Sequence, residues 1–117
     1  RVWRMETEAE MSLDIYLHAP RITTVFEANV THNLNSMAAE AGIYEHLWRP
    51  EDIDITKAGD LILPLTEAIE RMEADPDRFI KFNPSNGWGD YRGFLLVVKR
   101  YLDACRENPD ADIRVRR

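Results

Sequence analysis

The spacing of apolar residues changes twice along this chain, and this limits the folds it can adopt. Leu13, Ile15 and Leu17 alternate with polar residues, which is the period-two pattern of a half-buried strand. Between about residues 31 and 107 the apolar residues recur every three or four positions, as in helices packed on one side. Alternation returns at 111–115. The predicted order is therefore two strands, several helices and one strand.

The second strand is predicted over residues 22–30, which are rich in β-branched and aromatic side chains. The short break at Ala19-Pro20 joins it to the first strand as an antiparallel hairpin. The residues predicted to share one of its faces are Ile22, Thr24, Phe26 and Ala28. A hairpin plus one further strand leaves two sheet edges exposed, and dimerisation is a common way of covering them. The sequence therefore predicts a homodimer, with the strand order left open.

Capping and breaking residues divide the central region into helices. Thr31 is a candidate N-cap for the first helix, and Gly42 is a natural stop. Thr56 is a candidate cap for a long helix. Pro64 within that helix should either kink it or move its start to a later residue. Asp90 is expected to cap the last long helix.

These patterns predict an α+β fold: a small three-stranded antiparallel sheet, made of the N-terminal hairpin and a C-terminal strand, packed on one face by three to five helices. A chain of 117 residues has the length of one domain, which we assign to residues 12–117. Residues 1–11 are polar and lack the pattern, so we interpret them as an N-terminal extension, natural or left over from expression. Val2 and Trp3 could pair onto a sheet edge.

Composition narrows the classes of partner. The mixture of 44% hydrophobic and 31% charged residues is that of a globular protein, and the net charge of −6 disfavours nucleic acid. A lone cysteine cannot close an internal disulfide, and the sequence shows neither a signal peptide nor a long apolar run. We therefore expect a cytoplasmic protein with no membrane partner.

No residue pattern predicts catalysis, a metal or a cofactor. His18, His32, His46 and Cys105 do not stand three or four residues apart, as ligands on one helix face would. Cys105 lies on the predicted apolar face of a helix, where cysteine is usually inert. No glycine-rich phosphate loop with its lysine is present. An enzyme whose histidines and carboxylates converge in space remains the third alternative.

Aromatic and amide side chains gather at the predicted ends of elements, and these form the candidate ligand site. Its residues are His32, Asn33, Tyr44, Trp48, Arg49, Asn86, Trp88 and Tyr91. Trp88 stands between two glycines, so its indole either folds beneath the loop onto Phe94 or contacts a ligand or partner. Trp48 has the same two interpretations, the first being a plug of the core.

Several short motifs link these residues. They are Asn29-Val-Thr-His-Asn-Leu34, Met37-Ala38, Ala41-Gly-Ile-Tyr44, Leu47-Trp-Arg-Pro-Glu51, Asn83-Pro84, Asn86-Gly-Trp-Gly-Asp-Tyr91 and Tyr101-Leu-Asp-Ala-Cys105. Together they resemble a group of small proteins of bacteriophage and bacterial genomes, particularly those of actinobacteria, over about two thirds of the chain. The resemblance implies a phage or bacterial origin. Because no reaction is assigned to that group, the resemblance identifies no catalytic residues.

Two functions are compatible with these observations. The first is a non-enzymatic accessory or interaction protein of a phage or mobile element, homodimeric or bound to a protein partner. The alternative is a protein that binds or sequesters a small, nucleotide-like molecule among its aromatic and amide side chains.

Overall fold

A three-stranded antiparallel sheet forms one layer of the protein, and helices cover one of its faces. The computed structural model describes residues 12–19 and 23–117. The strands are β1 (Ser12–Ala19), β2 (Thr23–Thr31) and β3 (Asp112–Arg116), in the order β2-β1-β3. The predicted α+β fold is confirmed. The extension assigned to residues 1–11 lies outside the described residues.

The central strand β1 shows which face of the sheet is covered. Leu13, Ile15 and Leu17 are fully buried beneath the helices, whereas the residues between them are half-buried on the opposite face. A register shift after Leu17 pairs Leu17 with Phe26 but His18 with Thr24. Thr24 therefore shares the face of His18, and the prediction that it shares a face with Phe26 is wrong. A bulge of this kind is not readable from alternation alone.

The helical layer contains five α-helices within the described residues. They are α1 (Asn35–Glu40), α2 (Tyr44–Trp48), α3 (Ile62–Ala74), α4 (Pro76–Ile80) and α5 (Tyr91–Glu107). Short 3₁₀ turns at His32–Leu34, Pro50–Ile53 and Ala58–Leu61 connect them. Pro64 lies in the first turn of α3, as expected for a proline that delays a helix start. None of the helices in the described part of the chain has the length and apolarity needed to cross a membrane.

The two longest helices, α3 and α5, supply much of the core. The helical spacing of apolar residues predicts that Leu65, Ile69, Val98 and Leu102 are nearly fully buried. This prediction is confirmed for Leu65, Val98 and Leu102 and wrong for Ile69, which is half-buried. α3 packs on α5, and α5 also contacts β2. Burial of apolar surface of this kind is the main favourable term in folding.

The edges of the sheet differ from each other. The start of β3 is covered by residues 56–58, because Ile113 N–H donates to the carbonyl of Thr56 and Ala58 N–H to that of Ala111, each at 2.9 Å. The carbonyl of Thr56 therefore bonds to the sheet edge. The prediction that Thr56 caps the following helix is wrong. Among the described residues no backbone group outside the sheet pairs with β2. Within the described residues, the edge at β3 is therefore partly covered, whereas the outer edge of β2 is not.

Candidate functional site

The eight candidate residues do not form one site. His32, Tyr44, Trp48 and Arg49 gather at one end of the helical layer, Tyr91 lies in the core, and Asn86 and Trp88 belong to the loop before α5. Asn33 is half-buried in the 3₁₀ turn, and its Nδ2 has neither solvent nor a hydrogen-bond partner among the described residues.

The first group is built around the indole of Trp48. Its Nε1 donates to Nδ1 of His32 at 2.7 Å, and the ring of Tyr44 stacks on it at a centroid distance of 5.4 Å. Only 2% of Trp48 is exposed, which confirms the interpretation of this residue as a plug of the core. Burial lowers the pKa of His32, which agrees with a neutral imidazole that accepts from the indole.

Arginines complete this group from outside. Nη1 of Arg117 donates to the carbonyl of Trp48 and contacts Oε2 of Glu51, both at 2.7 Å. A side-chain hydrogen bond to Tyr44 raises the pKa of Arg49. The participation of Arg117 was missed, because no local signal links residues 69 positions apart. The indole of this group is buried and bonded to His32, and the carbonyl of Trp48 is bonded to Arg117. The group therefore joins α2 to the 3₁₀ turn after β2 and to the residue that follows β3.

Tyr91 is a core residue with one polar contact. Its hydroxyl donates to the carbonyl of Met72 at 2.7 Å, its exposed fraction is 7%, and burial raises its pKa. The N–H of Tyr91 donates to Oδ1 of Asn83 at 2.8 Å, which satisfies one free amide at the start of α5. Tyr91 therefore joins α5 to α3.

The loop before α5 presents Trp88 to solvent. Gly87 and Gly89 both adopt positive φ, at 81° and 93°, and the N–H of Trp88 donates to Oδ1 of Asn86 at 2.9 Å. A Cβ on Gly89 would lie 2.9 Å from both Thr31 Cγ2 and Leu34 Cδ1, so the loop packs closely on the end of β2. Trp88 is nevertheless 42% exposed, which argues against an indole buried beneath the loop.

Beside this indole lies a groove of about 410 Å³, which we call the Trp88 groove. Its volume falls in the range of about 300–1,000 Å³ typical of ligand sites. The end of β2 forms one wall, the first half of α5 another, and the loop closes one end. The residues lining it are Ser12, Asn29, Val30, Thr31, Leu34, Gly87, Trp88, Gly89, Asp90, Gly93, Phe94 and Val97. Of the candidate residues, Trp88 alone is in this lining.

The lining mixes apolar and polar residues, and its one charge among the described residues is acidic. Asp90 carries its one charge among the described residues, and its Oδ1 accepts the N–H of Gly93 at 2.7 Å as the cap of α5. Asn29 donates through Nδ2 to Ser12 and Asp14, each at 2.8 Å. The nearest arginine in sequence, Arg92, lines a neighbouring depression instead. The groove therefore suits neutral or cationic groups with apolar surface.

Reactive side chains lie elsewhere. Cys105 is fully buried, and burial raises the pKa of its thiol to about 12, so it stays protonated near neutral pH. Across residues 12–19 and 23–117, no three His, Cys, Asp or Glu side chains gather as a metal site would require. The groove offers contact surface and hydrogen bonds.

No protein-family model, curated protein or solved structure matches this chain. The resemblance to small phage and bacterial proteins therefore stays a prediction.

Proposed function

We propose that this chain is a non-enzymatic interaction protein that holds a segment of a partner protein in the Trp88 groove. The observation that carries the proposal is the half-exposed indole of Trp88, on a loop whose backbone is shaped by Gly87, Gly89 and a hydrogen bond from the Trp88 N–H to Asn86. The resemblance in sequence adds the proposal that the partner is met in the context of a bacteriophage or mobile element.

An exposed indole on an ordered loop backbone is favourable for binding for two reasons. Trp88 offers a large apolar surface, and tryptophan is enriched among residues that dominate the energy of protein interfaces. Its backbone is already ordered by the two positive-φ glycines and the Asn86 hydrogen bond, so less conformational entropy is lost on binding. Val97, which is partly buried, provides further apolar surface that a partner side chain can cover.

Nucleotides are the competing ligands, and charge argues against them. A phosphate group needs a cation or several free backbone amides, whereas the charged side chain in the described lining is Asp90. The amide of Gly93, near the start of α5, is already occupied by Asp90. We therefore favour a polypeptide.

The probe for this proposal is a displayed library of random peptides selected on the purified protein. Trp88→Ala should weaken the selected peptides about tenfold or more, as expected for a central contact. Leu63→Ala is the matched control, because Leu63 is an exposed apolar residue outside the groove and should leave binding unchanged.

Both variants must melt cooperatively near the wild type before they are compared. Failure of the selection to enrich any peptide, or equal binding of the selected peptides to the wild type and Trp88→Ala, would overturn the proposal.

A further inference from the structure

β2 lies at one edge of the sheet, has no backbone partner on its outer side among residues 12–19 and 23–117, and lines the Trp88 groove at its end. Asn29, Val30 and Thr31, at the end of this strand, form the groove wall nearest the sheet. Backbone groups on the outer side of β2 have no partner from outside the sheet among the described residues. A ligand in the groove therefore lies beside a row of backbone donors and acceptors.

β2 carries little of the protection that natural edge strands usually have. Edge strands are commonly short, or carry prolines, lysines or several charges that block further pairing. β2 is nine residues long and contains one charged side chain, Glu27, with a single register shift near its start. The start of β3, by comparison, is covered by residues 56–58.

The first half of α5 and the end of β2 line the same groove. Phe94 and Val97 of α5 line the groove beside Val30, whose side chain faces the core. Side chains of an extended chain alternate between the two faces of a sheet. A strand added beside β2 would therefore direct every second side chain into the groove, towards Phe94 and Val97, and the others to the polar face.

Charge favours a basic segment. Glu27 lies on β2 itself and Asp90 in the groove lining, with no lysine or arginine among the described residues of either. A lysine or arginine opposite Glu27 on a neighbouring strand would form a favourable cross-strand pair. The net charge of −6 also attracts a cationic partner.

The same charge argues against a second copy of this chain at β2. Glu27 is the middle residue of Thr23–Thr31, so symmetric antiparallel pairing along the whole strand would put the two Glu27 carboxylates opposite each other. Like charges directly opposite each other destabilise a strand pair.

We infer that the partner segment in the Trp88 groove is an extended, basic polypeptide that adds as a fourth strand to the open edge of β2. This inference rests on the proposed function and specifies the chemistry of the partner segment. Main-chain hydrogen bonds to β2 hold the segment, apolar side chains in the groove anchor it, and a Lys or Arg pairs with Glu27.

The sharpest test is backbone methylation of a selected peptide. An added strand donates every second N–H to β2 and directs the others away. Methylating alternate amides gives two complementary peptides, of which one should bind about tenfold more weakly or worse and the other should keep its affinity. Equal affinity of the two would overturn strand addition while leaving the proposed function intact, provided that Trp88→Ala still weakens binding.

A second test measures the charge pair. Glu27→Lys should weaken a basic peptide about tenfold, and a peptide with Glu in place of the facing Lys should recover that loss. Glu67→Lys, on an exposed position of α3, makes the same charge change away from β2 and is the matched control. Equal effects of the two variants would overturn the basic partner, and so would a stable dimer in sedimentation that Glu27→Gln strengthens by removing the like-charge pair.

Discussion

The indole Nε1 of Trp48 donates to Nδ1 of His32 at 2.7 Å, which joins α2 to the 3₁₀ turn at the end of β2. Since Nδ1 accepts this bond, the imidazole proton lies on Nε2 and His32 is neutral in the folded protein. Trp48 is buried and His32 half-buried, so replacing His32 leaves the buried indole N–H without its hydrogen bond.

We expect this contact to make stability depend on pH. Burial lowers the pKa of His32 from its ordinary value of 6.5, so the unfolded chain takes up the proton more readily than the folded protein. The free energy of unfolding should be highest above that value and fall as the pH drops below it. Chemical denaturation of the wild type between about pH 7.5 and pH 5 measures this.

His32→Gln removes the titrating group. It should cost about 0.5–1.5 kcal/mol near pH 7.5, and its difference from the wild type should shrink as the pH falls. Burial also lowers the pKa of His46, so His46→Gln should reduce the slope further. A slope unchanged by His32→Gln would show that the His32 contact is not responsible.

The two glycines that flank Trp88 should differ in their tolerance of alanine. Gly89→Ala forces a side chain into a positive-φ residue and against Thr31 and Leu34, whereas Gly87→Ala meets no atom within 4 Å. Gly87→Ala should cost about 1–2 kcal/mol from backbone strain, and Gly89→Ala about 1–3 kcal/mol more from overpacking. Equal losses in chemical denaturation would contradict the close packing of the loop on β2.

The helical face of α5 can be tested with two leucines on opposite sides. Leu102 is 5% exposed and Leu96 is 47% exposed on the same helix. Leu102→Ala should cost about 2–5 kcal/mol because it leaves a cavity, while Leu96→Ala should stay within about 0.5 kcal/mol. A loss below about 0.5 kcal/mol for Leu102→Ala would mean that the buried face of α5 is wrongly assigned.

Nucleotides should not bind in the groove. Titration with adenosine and guanosine nucleotides, including cyclic forms, should leave tryptophan emission and the melting temperature unchanged, because the described lining has no cation to pair with phosphate. A saturable change in emission that Trp88→Ala abolishes would instead support the nucleotide-binding alternative.

Much of the fold could be predicted because its signals are local. Alternation at Leu13–Leu17 and the three-to-four spacing before Asn108 specify strands and helices over a few residues each. Asp90 and Gly42 were also predictable, because capping depends on immediate neighbours. The register shift opposite Leu17 could not be predicted, because alternation within one strand does not show how it pairs with the next. The bond between Thr56 and β3 could not be predicted, because it joins residues far apart in sequence.

The candidate site shows the same division. The sequence by itself determined the order of elements, the apolar face of each helix and the conspicuous place of Trp88 between two glycines. Only the tertiary structure decided that Trp48 is buried on His32 while Trp88 borders a groove with Asn29 and Phe94. Burial and partnership depend on contacts between residues far apart along the chain, as between Arg117 and Trp48, and hydrophobic periodicity carries no information about such pairs.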